Sequence, residues 1–170
     1  NNNVTQAILI FGERRGGNNY NALDVTNPTQ PKFLWSISPT QIRYQTTTTS
    51  TTAYQELGQS WSTPVLATIK NGSGTKTVAF IGGGYDTNQD SASPSSDAHG
   101  RAVYVVDITN GNQIWKYSYA NDSNMKYCIP SDITPIDTNG DGLIERLYVG
   151  DVGGEIWRFD IGDMSNTARW

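Results

Sequence analysis

The residues best suited to chemistry stand close together in one polar stretch, residues 137–145, with the letters DTNGDGLIE. Oxygen-bearing side chains occupy alternate positions in it, at Asp137, Asn139 and Asp141. Alternation directs successive oxygens to one side of a loop, and Ca²⁺ takes about six to eight oxygen ligands. The pattern therefore predicts a calcium-binding loop that joins two β-strands.

The second half of the stretch supplies further ligands. Gly142 permits the sharp turn that brings the backbone carbonyl of Leu143 inward, and Glu145 stands where it can bind directly or through water. The position that carries a bidentate Glu in helix-loop-helix calcium loops is Tyr148, inside an apolar strand. The predicted metal ligands are Asp137, Asn139, Asp141, the Leu143 carbonyl and Glu145.

Two other interpretations of this stretch stay open at the level of sequence. Asp, Asn and Gly also build metal-free turns between strands, because their side chains bond to nearby backbone groups. Alternatively, Ca²⁺ is bound but only stabilises the strand pair by mass action and switches nothing.

Other kinds of chemistry have weaker support in the sequence. His99 is the only histidine and Cys128 the only cysteine, so a zinc site of nitrogen and sulfur ligands cannot be assembled. No serine stands in a Gly-x-Ser-x-Gly elbow, and residues 82–84 lack the Gly-Lys-Ser/Thr ending of a phosphate loop. We expect no enzyme activity, a solvated His99, and a half-buried Cys128 at a strand end, with pairing of Cys128 to a segment outside this sequence as the alternative.

Composition and charge narrow the class of protein. The 170 residues include 17 glycines and carry a net charge of -4, which argues against nucleic-acid binding. No window is long and apolar enough for a membrane span, and no signal peptide is visible, so an export signal would lie outside this chain. The dense basic pair Arg14 and Arg15 is either a patch for an anionic partner or a pair that is solvated or bound to nearby carboxylates.

A repeated pattern organises the elements around the loop. Apolar segments that end in Asp recur at residues 20–24, 103–107 and 156–160, and the first two lead through a turn to a strand containing Trp. Upstream of the second and third copies lie a Pro-containing strand and then an apolar strand that ends in Gly. Four short strands per repeat predict an all-β fold of antiparallel four-stranded blades, as in a β-propeller.

The repeats divide the chain into one complete and two incomplete units, so residues 1–170 are interpreted as a fragment of one propeller. Residues 7–38 form a partial blade, residues 59–118 a full blade, and residues 129–162 a partial blade with the calcium loop. The stretches 45–52 and 86–97 are polar and are expected to be mobile loops.

The repeated tryptophans have two interpretations. Trp35, Trp115 and Trp157 recur at equivalent or neighbouring strand positions, which favours residues that fill the space between blades. The other interpretation is an exposed platform on which sugars stack.

Several strings together resemble the carboxy-terminal propeller of the PilC/PilY family of bacterial type IV pilus-associated proteins. The strings are GERRGG (12–17), YNALDVTNP (20–28), LGQSWSTP (57–64), GGGYD (82–86), the calcium loop and GDVGGEIWRFD (150–160). They run in order through nearly the whole chain.

The resemblance implies a quinoprotein-like β-propeller from an exported protein of the pilus tip or outer membrane surface. It also implies roles in pilus assembly, adhesion and surface sensing, with calcium occupancy linked to pilus extension and retraction. The family's calcium ligands fall on the five positions named above, with Asp more usual at the position of Glu145.

The leading hypothesis is therefore a non-enzymatic, calcium-responsive module whose partners are pilin or other pilus components, with a host receptor or glycan as a further partner. One alternative is a fragment of a quinoprotein-type dehydrogenase. The other is a carbohydrate-binding adhesin with a structural calcium, in which Trp61 or Trp157 contacts sugar.

Overall fold

Strands in three antiparallel sheets make up the described part of the protein, residues 5–162 of a computed structural model. The first sheet contains β1 (Ile8–Gly12), β2 (Tyr20–Asp24), β3 (Lys32–Ile37), β4 (Gln41–Tyr44) and β5 (Thr47–Ser50). The middle sheet contains β6 (Val65–Asn71), β7 (Gly74–Gly82), β8 (Ala102–Asp107) and β9 (Gln113–Ser118). The third sheet contains β10 (Thr134–Ile136), β11 (Arg146–Gly150) and β12 (Ile156–Asp160).

The predicted all-β, antiparallel architecture is confirmed by these sheets. The only helix within residues 5–162 is a short 3-10 turn, Thr87–Asp90. No helix of this region has the length and apolar character needed to cross a membrane.

Strand β8 shows how the sheets stack. All six of its residues are buried, because both faces of the middle sheet are covered. Val103 and Val105 pack in a cluster with residues of the third sheet, whereas Tyr104 and Val106 pack in a cluster with residues of the first sheet. Sheets stacked face to face in this way are typical of propeller blades.

Trp35 on β3 forms the contact between the first and middle sheets. Its indole Nε1 donates to the carbonyl of Ile108 at 2.8 Å, and its side chain is 1% exposed. The hydroxyl of Tyr54 donates to the carbonyl of Gly111 at 2.9 Å in the same contact. Since Gly111 has a φ of +76° and a Cβ there would lie 2.9 Å from the Trp35 ring, this turn requires glycine.

Aromatic packing also joins the middle and third sheets. The ring centroid of Trp115 lies 5.6 Å from that of Phe159, in an edge-to-face arrangement. Half-buried Trp157 packs against the same cluster. The expectation that these tryptophans fill the space between sheets is therefore confirmed for Trp35 and Trp115, and Trp157 is only partly covered.

The polar stretch 45–52, expected as a mobile loop, contains strand β5, so that prediction was wrong. Thr47–Ser50 pairs with β4, with Thr48 opposite Arg43, and the first sheet therefore continues beyond residue 38. Threonine is polar but β-branched, and β-branched residues favour extended backbone. Gln45, with a φ of +51°, makes the tight turn between the two strands.

The stretch 86–97 is also more ordered than the predicted solvated loop. Asp86 is buried, and its Oδ2 accepts from the backbone N–H groups of Ala98 and His99, both at 2.8 Å. Asp97 is buried too, and its Oδ2 accepts from the backbone N–H of Cys128 at 2.7 Å. Two buried carboxylates thus fix the ends of a segment whose middle, residues 91–96, is exposed.

The two residues with the most reactive side chains have different environments. His99 is exposed, as expected. Cys128 is fully buried and lies outside the strands, so the expectation of a half-buried strand-end residue was wrong. Burial raises the pKa of the Cys128 thiol to about 12.

Candidate metal site

The acidic loop 137–145 connects two paired strands, β10 and β11. Ile136 ends β10 and pairs with Arg146, the first residue of β11, so the loop joins two β-strands as the sequence predicts. The N–H of Glu145 donates to the carbonyl of Ile136 at 3.2 Å, which closes the loop at its base. The hairpin therefore brings the first and last residues of the loop together.

Asp137 organises the first half of the loop through hydrogen bonds from the backbone. Its Oδ2 accepts from the N–H of Gly142 at 2.7 Å, and its Oδ1 accepts from the N–H of Gly140 at 2.6 Å and of Asn139 at 3.2 Å. These donors, Gly142 first, hold the pKa of the Asp137 carboxyl below its usual value. Gly140 and Gly142 have φ values of +82° and +85°, which let the chain curl around this carboxylate.

The acidic side chains of the loop converge. Carboxylate oxygens of Asp137, Asp141 and Glu145 lie within 4.8 Å of one another. Between two of them lies the side-chain amide of Asn139, whose Nδ2 is 3.3 Å from Asp141 Oδ2 and 3.2 Å from Glu145 Oε1. The structure thus brings together the side chains of four of the five residues expected to bind metal.

Leu143, the fifth residue, was expected to contribute its backbone carbonyl. Its N–H donates to Asp141 Oδ1 at 2.8 Å, and the Asp141 N–H donates to Asn139 Oδ1 at 2.9 Å. These local bonds set the path of the backbone through Leu143. Within residues 5–162, no hydrogen bond occupies the Leu143 carbonyl oxygen.

Thr138 holds Glu145 in place, a role that its position in the sequence does not predict. Glu145 Oε2 accepts from the backbone N–H of Thr138 at 2.8 Å and from its hydroxyl at 2.9 Å. One carboxylate oxygen is thereby fixed, and the other, Oε1, lies toward the Asn139 amide. The signal available in the sequence was a hydroxyl residue directly after the first ligand, which resembles an ordinary turn residue.

The loop is also tied to the rest of the fold. The N–H of Ile144 donates to the carbonyl of Thr68 on β6 at 3.0 Å, and the Ile144 side chain packs against the core. The carbonyl of Glu145 accepts from the N–H of Ile161, just after β12, at 2.6 Å. Hydrogen bonds therefore connect the loop to the middle sheet and to the segment that follows β12.

Among residues 5–162, no cationic side chain pairs with the acidic cluster. No lysine or arginine within residues 5–162 forms an ion pair with Asp137, Asp141 or Glu145. Carboxylates this close repel one another, and an all-oxygen donor set suits a hard divalent cation. The donor chemistry fits Ca²⁺ and not a soft metal that prefers sulfur or imidazole.

Stacked antiparallel sheets with an acidic hairpin loop define an all-β propeller domain with a candidate cation site. The sequence matches the family described as the PilY1 beta-propeller domain over residues 2–169, and the chain belongs to that family. The resemblance and the propeller fold expected from the sequence are both confirmed.

Similar proteins include two named type IV pilus biogenesis factor PilY1. The protein of Pseudomonas aeruginosa strain PAO1 is 30% identical over 154 residues, which cover 91% of this chain and 11% of the relative. The protein of strain UCBPP-PA14 is 31% identical over 164 residues, which cover 95% of this chain and 12% of the relative. A PilY1 homolog of Xylella fastidiosa strain Temecula1 is 25% identical over 177 residues, covering 97% and 10%.

A solved structure supports the same assignment. The crystal structure of the Pseudomonas aeruginosa PilY1 C-terminal domain aligns with a TM-score of 0.68 and 28% sequence identity. The alignment covers 92% of this chain and 27% of that one. This chain therefore corresponds to a part of a larger domain in that relative, and to 11% of the full length of the PAO1 relative.

Proposed function

We propose that residues 137–145 bind one Ca²⁺ in a pilus-associated propeller domain, and that the ion orders this loop for contacts made in pilus biogenesis. The observation that carries the proposal is the convergence of three carboxylates within 4.8 Å without a neutralising cation among residues 5–162. Removal of mutual repulsion by a dication provides the driving force for binding.

The proposed ligands are the five named from the sequence. Asp137, Asp141 and Glu145 contribute carboxylate oxygens, and Leu143 contributes its backbone carbonyl. Asn139 contributes its side-chain oxygen after the amide rotates, since its Nδ2 now faces Asp141 and Glu145. In the absence of the ion, this amide partly offsets the repulsion between those two carboxylates.

The attachments of the loop give the ion a route to the rest of the domain. Ile144 is bonded to Thr68 on β6, and Glu145 to Ile161 after β12. Calcium that stiffens residues 137–145 therefore also restrains the position of the third sheet against the middle one. A coupling free energy of about 1 to 3 kcal/mol is the usual size for such an effect.

The partners proposed for this surface are pilin or other components of the type IV pilus, with a host receptor or glycan as a further partner. The support is that the similar proteins are named type IV pilus biogenesis factors. The same names support a non-enzymatic role and a location outside the cell, at the pilus tip or the outer membrane surface.

Isothermal titration calorimetry of the protein with CaCl₂ tests the metal site. We expect one site in the unaltered protein, and no measurable site after Asp137→Ala, because that substitution removes two ligand oxygens and the acceptor of three backbone N–H groups. Asp122→Ala is the matched control, since Asp122 also accepts from a backbone N–H, that of Asn124 at 2.9 Å, but lies outside the loop.

The result that contradicts the site is one strong calcium site that persists in the Asp137→Ala protein. The role in biogenesis is tested separately, by placing the same two substitutions in the full-length protein of the producing bacterium and counting surface pili. We expect fewer pili with Asp137→Ala only. Equal numbers in both strains, together with lost calcium binding, would mean that the ion only stabilises the domain.

A further inference from the structure

A second site lies away from the acidic loop, where turns from different sheets meet. Residues Arg15, Trp61, Tyr85 and Pro130 line an open cavity of about 310 Å³. Arg15 comes from the turn after β1, Trp61 precedes β6, Tyr85 follows β7 and Pro130 precedes β10. Ligand sites are frequently built where loops from several elements converge on a rigid scaffold.

Backbone hydrogen bonds fix the walls of this cavity. The N–H of Gln59 donates to the carbonyl of Tyr85 at 2.8 Å, and the N–H of Tyr85 donates to the carbonyl of Gln59 at 2.9 Å. The N–H of Arg14 donates to the carbonyl of Ser60 at 3.2 Å, and the N–H of Gly84 donates to that of Ile129 at 2.9 Å. The segments are thus held together before any ligand arrives, which lowers the entropy cost of binding.

Two aromatic rings form the apolar part of the cavity. Trp61 and Tyr85 are both half-buried, with ring centroids 6.4 Å apart and planes inclined at 65°. The Trp61 indole is held by a hydrogen bond from Nε1 to Gln59 Oε1 at 3.1 Å. Two fixed rings at this angle form a corner into which a small ring with an apolar face fits.

Arg14 supplies a positive charge next to the cavity, over the Trp61 ring. Its guanidinium lies 5.5 Å from the centroid of the Trp61 ring, and within residues 5–162 no carboxylate forms an ion pair with it. Arg14 has a φ of +52°, a backbone conformation that is uncommon for residues other than glycine. Backbone strain of this kind persists where the surrounding structure imposes it, and it clusters at binding sites.

The charge of the neighbouring Arg15 is neutralised by an ion pair. Arg15 pairs with Asp90 at 2.6 Å, and Asp90 also accepts from the Tyr85 hydroxyl at 3.0 Å. The cavity therefore combines two inclined aromatic rings with the ion pair of Arg15, and the guanidinium of Arg14 lies beside it, over the Trp61 ring. A planar guanidinium prefers a carboxylate partner, with which it forms charge-assisted hydrogen bonds.

From this arrangement we infer that the cavity binds an acidic sugar, a pyranose that carries one carboxylate. The C–H face of the sugar packs against Trp61 and Tyr85, and its carboxylate pairs with Arg14. An extended acidic peptide fits less well, because peptide recognition by strand addition needs free backbone groups, and those of Gln59, Gly84 and Tyr85 are already paired. This inference is independent of the calcium proposal and concerns a different surface.

The inference is tested by titrating the protein with D-glucuronic acid, N-acetylneuraminic acid and D-glucose. The NMR signal of the Trp61 indole N–H reports binding. Trp61→Phe assigns the signal. We expect at least one acidic sugar to shift it and to bind roughly ten-fold more tightly than neutral glucose, which is the size of one charge-assisted bond. The stronger of the two acids identifies the sugar class.

Two substitutions with opposite expected effects distinguish a change in binding from a loss of folding. Arg14→Asn removes the charge but tolerates the left-handed backbone, and it should weaken acidic-sugar binding roughly ten-fold. Asp90→Asn frees Arg15 and should tighten binding, a gain that misfolding cannot produce. Arg43→Ala is the matched control, since Arg43 also lies over a ring, that of Phe33 at 4.8 Å, but on the first sheet.

Three results of the sugar titrations overturn the inference. They are an unmoved Trp61 signal with both acids, equal affinity for glucose, and an equal loss of affinity in the Arg43→Ala protein. An N-acetylated Glu-containing peptide that binds more tightly than either acid would overturn it in favour of a protein partner.

Discussion

The amide Nδ2 of Asn139 lies 3.2 Å from Oε1 of Glu145, and this contact joins the first half of the acidic loop to its end. The other oxygen of Glu145 is held by Thr138. Glu145 is therefore positioned from two sides without an ion. Binding of a cation requires the Asn139 amide to rotate, while the Thr138 contacts already position the Glu145 side chain.

Glu145→Gln should weaken calcium binding by about ten-fold or more, because a neutral amide replaces a carboxylate that closes the coordination sphere. The measurement is the dissociation constant by calorimetry, with the calcium-induced rise in melting temperature as a second readout. Glu155→Gln is the control, since Glu155 is exposed and outside the loop. Equal affinity in the Glu145→Gln and Glu155→Gln proteins would exclude Glu145 as a ligand.

The location of the acidic loop could be predicted from sequence because it rests on local spacing. Alternating Asp137, Asn139 and Asp141 followed by glycine specify one short hairpin connection, and the structure places it between β10 and β11. The blade pattern was predictable for a similar reason, since apolar segments such as β8 recur together with their turns.

The features that could not be predicted depend on contacts between distant residues. Thr138 has a role only because the hairpin brings Glu145 into contact with it. Asp97 accepts a hydrogen bond from the N–H of Cys128, which is 31 positions away in the sequence but adjacent in the fold. Strand β5 was missed because its threonines are polar in composition while their β-branching favours a strand. The cavity at Trp61 and Tyr85 likewise forms only after several segments are joined.

Acid should destabilise the calcium-free protein. Burial raises the pKa of Asp86, but backbone N–H groups including that of Asn88 outweigh it, so the net pKa is lowered. Burial also raises the pKa of Asp107, but Lys76 and Thr109 outweigh it, so this pKa is lowered as well. A group whose folded pKa is lowered stabilises the fold above its unfolded pKa, and this contribution is lost as pH falls through the folded value.

The free energy of unfolding is measured with urea at several pH values. We expect it to stay nearly constant between about pH 5 and 7, and to decrease as the pH is lowered below about 4. Asp107→Asn should reduce the acid-dependent loss, because one of the responsible carboxyls is removed while Thr109 can still donate to the side-chain oxygen. A profile that stays level down to about pH 3 would contradict the assignment.

Cys128 should be unreactive in the native protein. Burial raises the pKa of its thiol to about 12, so the thiolate that attacks disulfide reagents is almost absent at neutral pH. We expect Ellman's reagent to release no thionitrobenzoate from the folded protein at about pH 8, and one equivalent per chain in urea. Rapid labelling without urea would show that the segment around Asp97 and Cys128 opens readily.

The contact between the first and middle sheets can be tested with a pair of glycines. Gly154 has a φ of +91° with open space around it, so Gly154→Ala measures the backbone cost alone, about 1 to 2 kcal/mol. Gly111 also has a positive φ, but a Cβ there would lie 2.9 Å from the ring of Trp35. Gly111→Ala should therefore cost about 1 to 3 kcal/mol more, through overpacking. Equal free energies of unfolding for the two variants in urea would show that Trp35 yields to the methyl group and that this contact is loosely packed.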